Sequence, residues 1–71
     1  MHIGQLIREE LLNQGRSVTW LADQLSYSEN MVYKMLSDES IDTDLLLCVS
    51  DVLDVDFFKF YSEEFKKAMA L

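Results

Sequence analysis

An all-helical fold of five short helices around one core is what this sequence of 71 residues predicts, and three observations carry that expectation. Proline is absent and glycine occurs only at Gly4 and Gly15, whereas strands joined by tight turns need more of both. Apolar residues recur at three- and four-residue spacing along the chain, which is the period of a helix with one buried face. Two short amphipathic runs, Val18–Leu25 and Glu29–Leu36, meet through Ser26-Tyr27-Ser28, a turn so short that one helix must cross the other.

The first helix is expected over Ile3–Gln14. Ile3, Leu6, Ile7 and Leu11 share one face, and Gln5, Arg8, Glu9 and Asn13 fall on the other. Gly15 suits the left-handed residue that closes a helix. Ser17 suits the N-cap of the second helix, with Val18, Leu21, Ala22 and Leu25 turned inward. Trp20 has two readings: a cover over the seam between helices, or an exposed contact. Ser28 is the expected N-cap of the third helix, where Glu29 complements the dipole. Val32 and Leu36 are its core pair, with Met35 beside them. Ile41 ahead of Asp42 is placed to staple the fourth helix, about Thr43–Leu53. That helix is nearly apolar through Leu45–Val49, as a central helix would be, and Cys48 within it is expected to be a buried thiol. Asp56 is expected to cap a fifth helix starting at Phe57.

Residues 1–71 are expected to form a single domain, near the lower size limit for a core without staples. An apolar content of 49% argues against disorder. A lone cysteine has no internal disulfide partner, so a reducing compartment is expected. No apolar run approaches the ~20 residues of a membrane span, and no basic-then-apolar leader opens the chain. A soluble, cytoplasmic protein is the expectation.

The stretch Ser17–Ser37, SVTWLADQLSYSENMVYKMLS, has the sequence form of a helix-turn-helix, whose second helix normally lies in the major groove of DNA. Leu21-Ala22, Gln24-Leu25 and Tyr27-Ser28 before Val32, followed by Leu45-Leu46, Val49 and Leu53-Asp54-Val55-Asp56, resemble the lambda-repressor-like, Cro-type family of bacterial and phage regulators. The likeness covers roughly residues 7–58. It implies five helices around one core, binding to duplex DNA as a symmetric pair, and the third helix as reader. The chain departs from that pattern in three places. Val18 stands where the family often has glutamine. Asp38 stands where a glycine usually follows the reader, and would need left-handed geometry. The reader itself is short of arginine, lysine and glutamine.

Carried over by position, the reader residues are Glu29, Asn30, Tyr33 and Lys34. Asn30 matches the two-point edge of adenine, Lys34 guanine N7 and O6, and Glu29 a cytosine amino group. Ser17, Ser28 and Ser37 are candidate phosphate contacts at helix ends. The opposing fact is charge. The formal net charge is −7, and from Ile41 to Asp56 only acids occur: Asp42, Asp44, Asp51, Asp54 and Asp56. Phosphate neutralisation supplies most non-specific DNA affinity, so a binder usually shows the reverse balance. Two functions therefore stand: a sequence-specific transcriptional regulator acting by site occupancy, or an acidic helix-turn-helix domain that has lost DNA and binds protein.

Catalysis is not expected. His2 lies at a terminus with no placed partner, Cys48 sits in an apolar run, and the acids of residues 42–56 lack the spacing and glycine of a calcium loop. No metal or cofactor is expected either. The tail, residues 57–71, carries more large apolar groups than a closing helix needs: Phe57, Phe58, Phe60, Tyr61, Phe65, Met69 and Leu71. Some are expected to fold back on the first helix. Phe58, Tyr61, Phe65 and Met69 form a candidate homodimer interface, although a tail packed wholly within its own chain is the competing expectation.

Overall fold

Five helices follow one another without a strand among the described residues of the computed structural model: α1 (Ile3–Gln14), α2 (Val18–Leu25), α3 (Glu29–Ser37), α4 (Thr43–Leu53) and α5 (Phe58–Met69). The structure describes residues 1–70; Leu71, expected above to belong to the apolar tail, lies outside the described residues. One core holds them together. Ile3, Ile7 and Leu11 of α1 meet Leu21 and Ala22 of α2, Val32, Met35 and Leu36 of α3, Leu46, Val49 and Leu53 of α4, and Phe57. α1, α3 and α4 each contribute one stripe at three- and four-residue spacing, so in these the period that predicts the helix also selects its buried face; α2 contributes only Leu21 and Ala22, and α5 contributes no buried residue.

The start of α1 shows how tightly the helices are fastened. A helix leaves its first four N–H groups without internal partners. Here the Ile3 and Gly4 N–H groups donate to the carbonyls of Glu39 and Asp38, at 2.9 and 3.0 Å. The Gln5 N–H donates to Nδ1 of His2 at 3.0 Å, and Leu6 N–H to the His2 carbonyl. His2 thus caps α1 and is not the incidental terminal side chain expected from sequence. Gly4 is buried because the backbone after α3 runs directly over it. At the other end Gln14 reaches across to the Leu53 carbonyl at 2.8 Å, tying the ends of α1 and α4 together.

The caps explain the remaining boundaries. Ser17 Oγ accepts from Trp20 N–H, Ser28 Oγ from Met31 N–H, and Asp42 Oδ1 from the N–H groups of Asp44 and Leu45. Gly15, Ser26 and Asp54 close α1, α2 and α4 in the left-handed conformation. Asp38 does not take the left-handed geometry expected of it: its φ of −84° and ψ of 136° are extended. The chain leaves α3 straight so that the Asp38 and Glu39 carbonyls can meet the N-terminus of α1. The fifth helix starts at Phe58, one residue later than expected, because Phe57 is drawn into the core; the Asp56 carboxylate accepts from Phe58 N–H at 3.0 Å.

Two expectations are corrected: that Cys48 is buried, and the alternative that the tail packs wholly within its own chain. Cys48 is exposed, and Leu47 beside it is 60% exposed, because Leu46, Val49 and Leu53 fill the single inward face. An unbroken apolar run fits a helix covered all round, and α4 is covered on one side only. In α5 no residue is buried. Phe58 and Phe60 are half-buried, and every residue from Tyr61 to Ala70 is exposed. No helix is long and apolar enough to cross a membrane among the described residues.

Candidate nucleic-acid interface

The site is built by the crossing of α2 and α3. Ser26 ends α2 at φ 57°, and the Tyr27 N–H returns to the Ala22 carbonyl at 2.9 Å. Two residues later Ser28 starts α3. This arrangement fits a helix-turn-helix. With Leu21 and Ala22 anchoring one helix and Val32, Met35 and Leu36 the other, the far side of α3 is left to solvent. Asn30, Tyr33, Lys34 and Ser37 are exposed there, as is Glu29. Tyr33 keeps half of its surface open to solvent and Met31 does the same.

Not all of these groups are free. The Thr19 hydroxyl donates to a Glu29 carboxylate oxygen, linking α2 to the first turn of α3. Lys34 Nζ lies 3.4 Å from Asp38 Oδ2, one turn on. An exposed pair of this kind contributes about 0–1 kcal/mol, so a phosphate or base edge can displace it. Ser37 Oγ donates to the Lys34 carbonyl at 2.7 Å. Ser17 and Ser28 have their oxygens engaged as caps, which leaves each hydroxyl hydrogen to donate outward. Asn30 and Tyr33 have no side-chain hydrogen bond among the described residues.

One residue beyond the sequence-derived set belongs beside this surface. The Arg16 guanidinium stacks 4.4 Å above the Trp20 ring, immediately before α2. Trp20 is half-buried against the core, so the reading of it as a cover over the helix seam is correct. Arg16 lies before the Ser17 N-cap, outside α2, so helical spacing does not relate it to Trp20 and no sequence signal paired them.

A second concave feature lies between the end of α2 and α4. This groove of about 500 Å³ is lined by Leu25, Tyr27, Leu45, Cys48 and Val52, with Gln24 and the carboxylates of Asp42, Asp44 and Asp51 around it. No cation lines it. Among the described residues, no three His, Cys, Asp or Glu side chains gather closely enough to hold a metal ion. Comparison with protein-family models, curated proteins and solved structures finds no match for this chain.

Proposed function

We propose that this chain is a lambda-repressor-like helix-turn-helix protein that binds duplex DNA sequence-specifically and regulates transcription in the cytoplasm by occupying its site. The observation that carries this reading is the two-sidedness of α3. Val32, Met35 and Leu36 are buried, while Asn30, Tyr33 and Lys34 project together from the opposite side of a nine-residue helix. A helix held at its back by a crossing partner and bare in front has the shape that enters a major groove. In this reading Asn30 and Lys34 read base edges, Tyr33 contacts base or sugar, and Ser17, Ser28 and Arg16 hold phosphates, while Ser37, whose hydroxyl hydrogen goes to the Lys34 carbonyl, does not. Glu29 serves mainly to fix the first turn through Thr19.

Two readers must sit about 34 Å apart to engage successive turns of one DNA face, which calls for a dimer. The exposed part of the tail stripe, Tyr61, Phe65 and Met69, is the surface proposed to hold it, with Phe58 at its half-buried root. Selection from random duplexes at low salt, comparing the parent with a variant carrying Asn30→Ala, Tyr33→Ala and Lys34→Ala, tests the reading. An enriched sequence bound by the parent and not by the variant, with circular dichroism unchanged, is the expected result. No duplex binding by the parent would overturn it.

A second reading, an acidic helix-turn-helix module that binds protein instead of DNA, is favoured by the internal engagement of Glu29 and Lys34 and by the net charge of −7. The same triple variant then leaves duplex binding at background and weakens capture of a protein partner.

A further inference from the structure

We infer that the α2–α4 groove is a docking site for a cationic amphipathic helix of another protein. This does not depend on DNA binding, since none of Asn30, Tyr33 and Lys34 lines the groove. Its floor is a stripe of α4, Leu45, Cys48 and Val52, with Leu25 and Tyr27 on the α2 side. Tyr27 and Leu45 also line a smaller hollow of about 200 Å³ that reaches Met31 and Met35 of α3, so the apolar surface continues as a trough and not as a closed pocket. An elongated apolar trough between helices suits the apolar face of a further helix, whose contacts recur at three- and four-residue spacing.

Charge selects which helix fits. Asp44 and Asp51 stand two turns apart along α4, beside Leu45 and Val52 at the same interval, and no cation lines the groove. Asp42, the third carboxylate there, is engaged as the cap of α4, whereas the side chains of Asp44 and Asp51 make no hydrogen bond or ion pair among the described residues. Asp51 lies in the last turn of α4, where a carboxylate opposes the helix dipole, so it does not serve the helix itself. A neutral helix would leave both carboxylates partly covered and unpaired, and nucleic acid or an acidic segment would be repelled. Lysine or arginine two turns apart, next to an apolar stripe, meets Asp44 and Asp51 together. The exposed end of α5 is not such a segment, since Glu63 and Glu64 stand there beside Lys66 and Lys67. The occupant is therefore a different protein.

Cys48 is the chain's one cysteine and is exposed at the groove, so its alkylation by iodoacetamide reports occupancy. The probes are synthetic helices of about 14 residues, roughly four turns, that share one leucine-rich face and are flanked by lysine, glutamine or glutamate. The lysine set should bind the full chain and slow Cys48 alkylation about tenfold near saturation. The glutamine set should bind about tenfold more weakly, and the glutamate set not at all. Asp44→Asn with Asp51→Asn should weaken binding of the lysine set about tenfold. Glu63→Gln with Glu64→Gln, the same change in net charge outside the groove, should alter it less than about twofold at physiological salt. Circular dichroism checks that each variant folds. No binding by the lysine set, binding that leaves Cys48 reactive, equal binding by the glutamine set, or equal weakening by the two pairs of substitutions would each overturn the inference.

Discussion

Gly4 lies directly against Leu36: a Cβ built on Gly4 would come within 2.3 Å of the Leu36 carbonyl oxygen and 2.7 Å of the Asp38 carbonyl oxygen. Both obstacles are backbone, so no side chain can swing aside. Gly4→Ala should destabilise the fold by about 3 kcal/mol, the upper end of ordinary overpacking, because α1 must move off the α3–α4 connection. Gly15→Ala is the control. Its φ is +66° and nothing lies within 4 Å of the added carbon, so only conformational strain of about 1 kcal/mol is expected. Urea midpoints of the two variants check the order.

Leu21 and Val32 face each other's helices from within the core, and both are fully buried. Leu21→Ala should remove about 3 kcal/mol and Val32→Ala about 2 kcal/mol. Stability near 0.1 kcal/mol per residue is typical, so the first change takes a large share of what a chain this short holds. Loss of any binding in these variants should follow the loss of helix signal on warming, and not precede it.

Ser26 and Asp54 occupy left-handed conformations, at φ 57° and 56°, where a side chain is strained. Glycine relieves that strain at both positions. Asp54 also sets a negative charge at the C-terminus of α4, the negative end of the helix dipole, so its replacement has a second gain. Ser26→Gly is expected to raise stability by about 0.5 kcal/mol and Asp54→Gly by about 1 kcal/mol. Asp54→Asn separates the two contributions, since it removes the charge and keeps a side chain that tolerates this conformation. Thermal midpoints in low and high salt measure both, because only the charge contribution shrinks with salt.

The proposed DNA complex should show a shallow dependence on salt. Each phosphate neutralised contributes about −0.9 to the slope of log K against log salt. Arg16 before α2 is the cation assigned to phosphate and Lys34 on α3 the one assigned to a base edge, so a symmetric pair should give a slope of about −2. Lys34→Ala should relax base preference and weaken binding by about 1–3 kcal/mol if its contact is bidentate. A slope near −10 would contradict the assignment of the surface. Titrations at several salt concentrations read both quantities.

Much of the architecture was legible because it depends on local chemistry. Helical period, the serine caps at Ser17 and Ser28, Asp42 before α4 and Gly15 after α1 act within one or two turns, so residues next to one another suffice to reveal them. The buried side of α3 could be read for the same reason, as Val32 and Leu36 share a stripe. Apolar composition misled where it had no period to discriminate faces: Leu45 to Val49 are all apolar, and only the packing of Leu46 and Val49 inward turns Leu47 and Cys48 out. The role of Gly4 was hidden because its reason lies in Leu36 and Asp38, far along the chain. Asp38 likewise takes its extended conformation from the N–H groups of α1 and not from its own neighbours. Local propensity and period, fixed by adjacent residues, determined which segments are helices; which faces meet, and which polar groups bond across elements, was decided by tertiary packing, because burial and hydrogen bonding between distant segments exist only once the chain has folded.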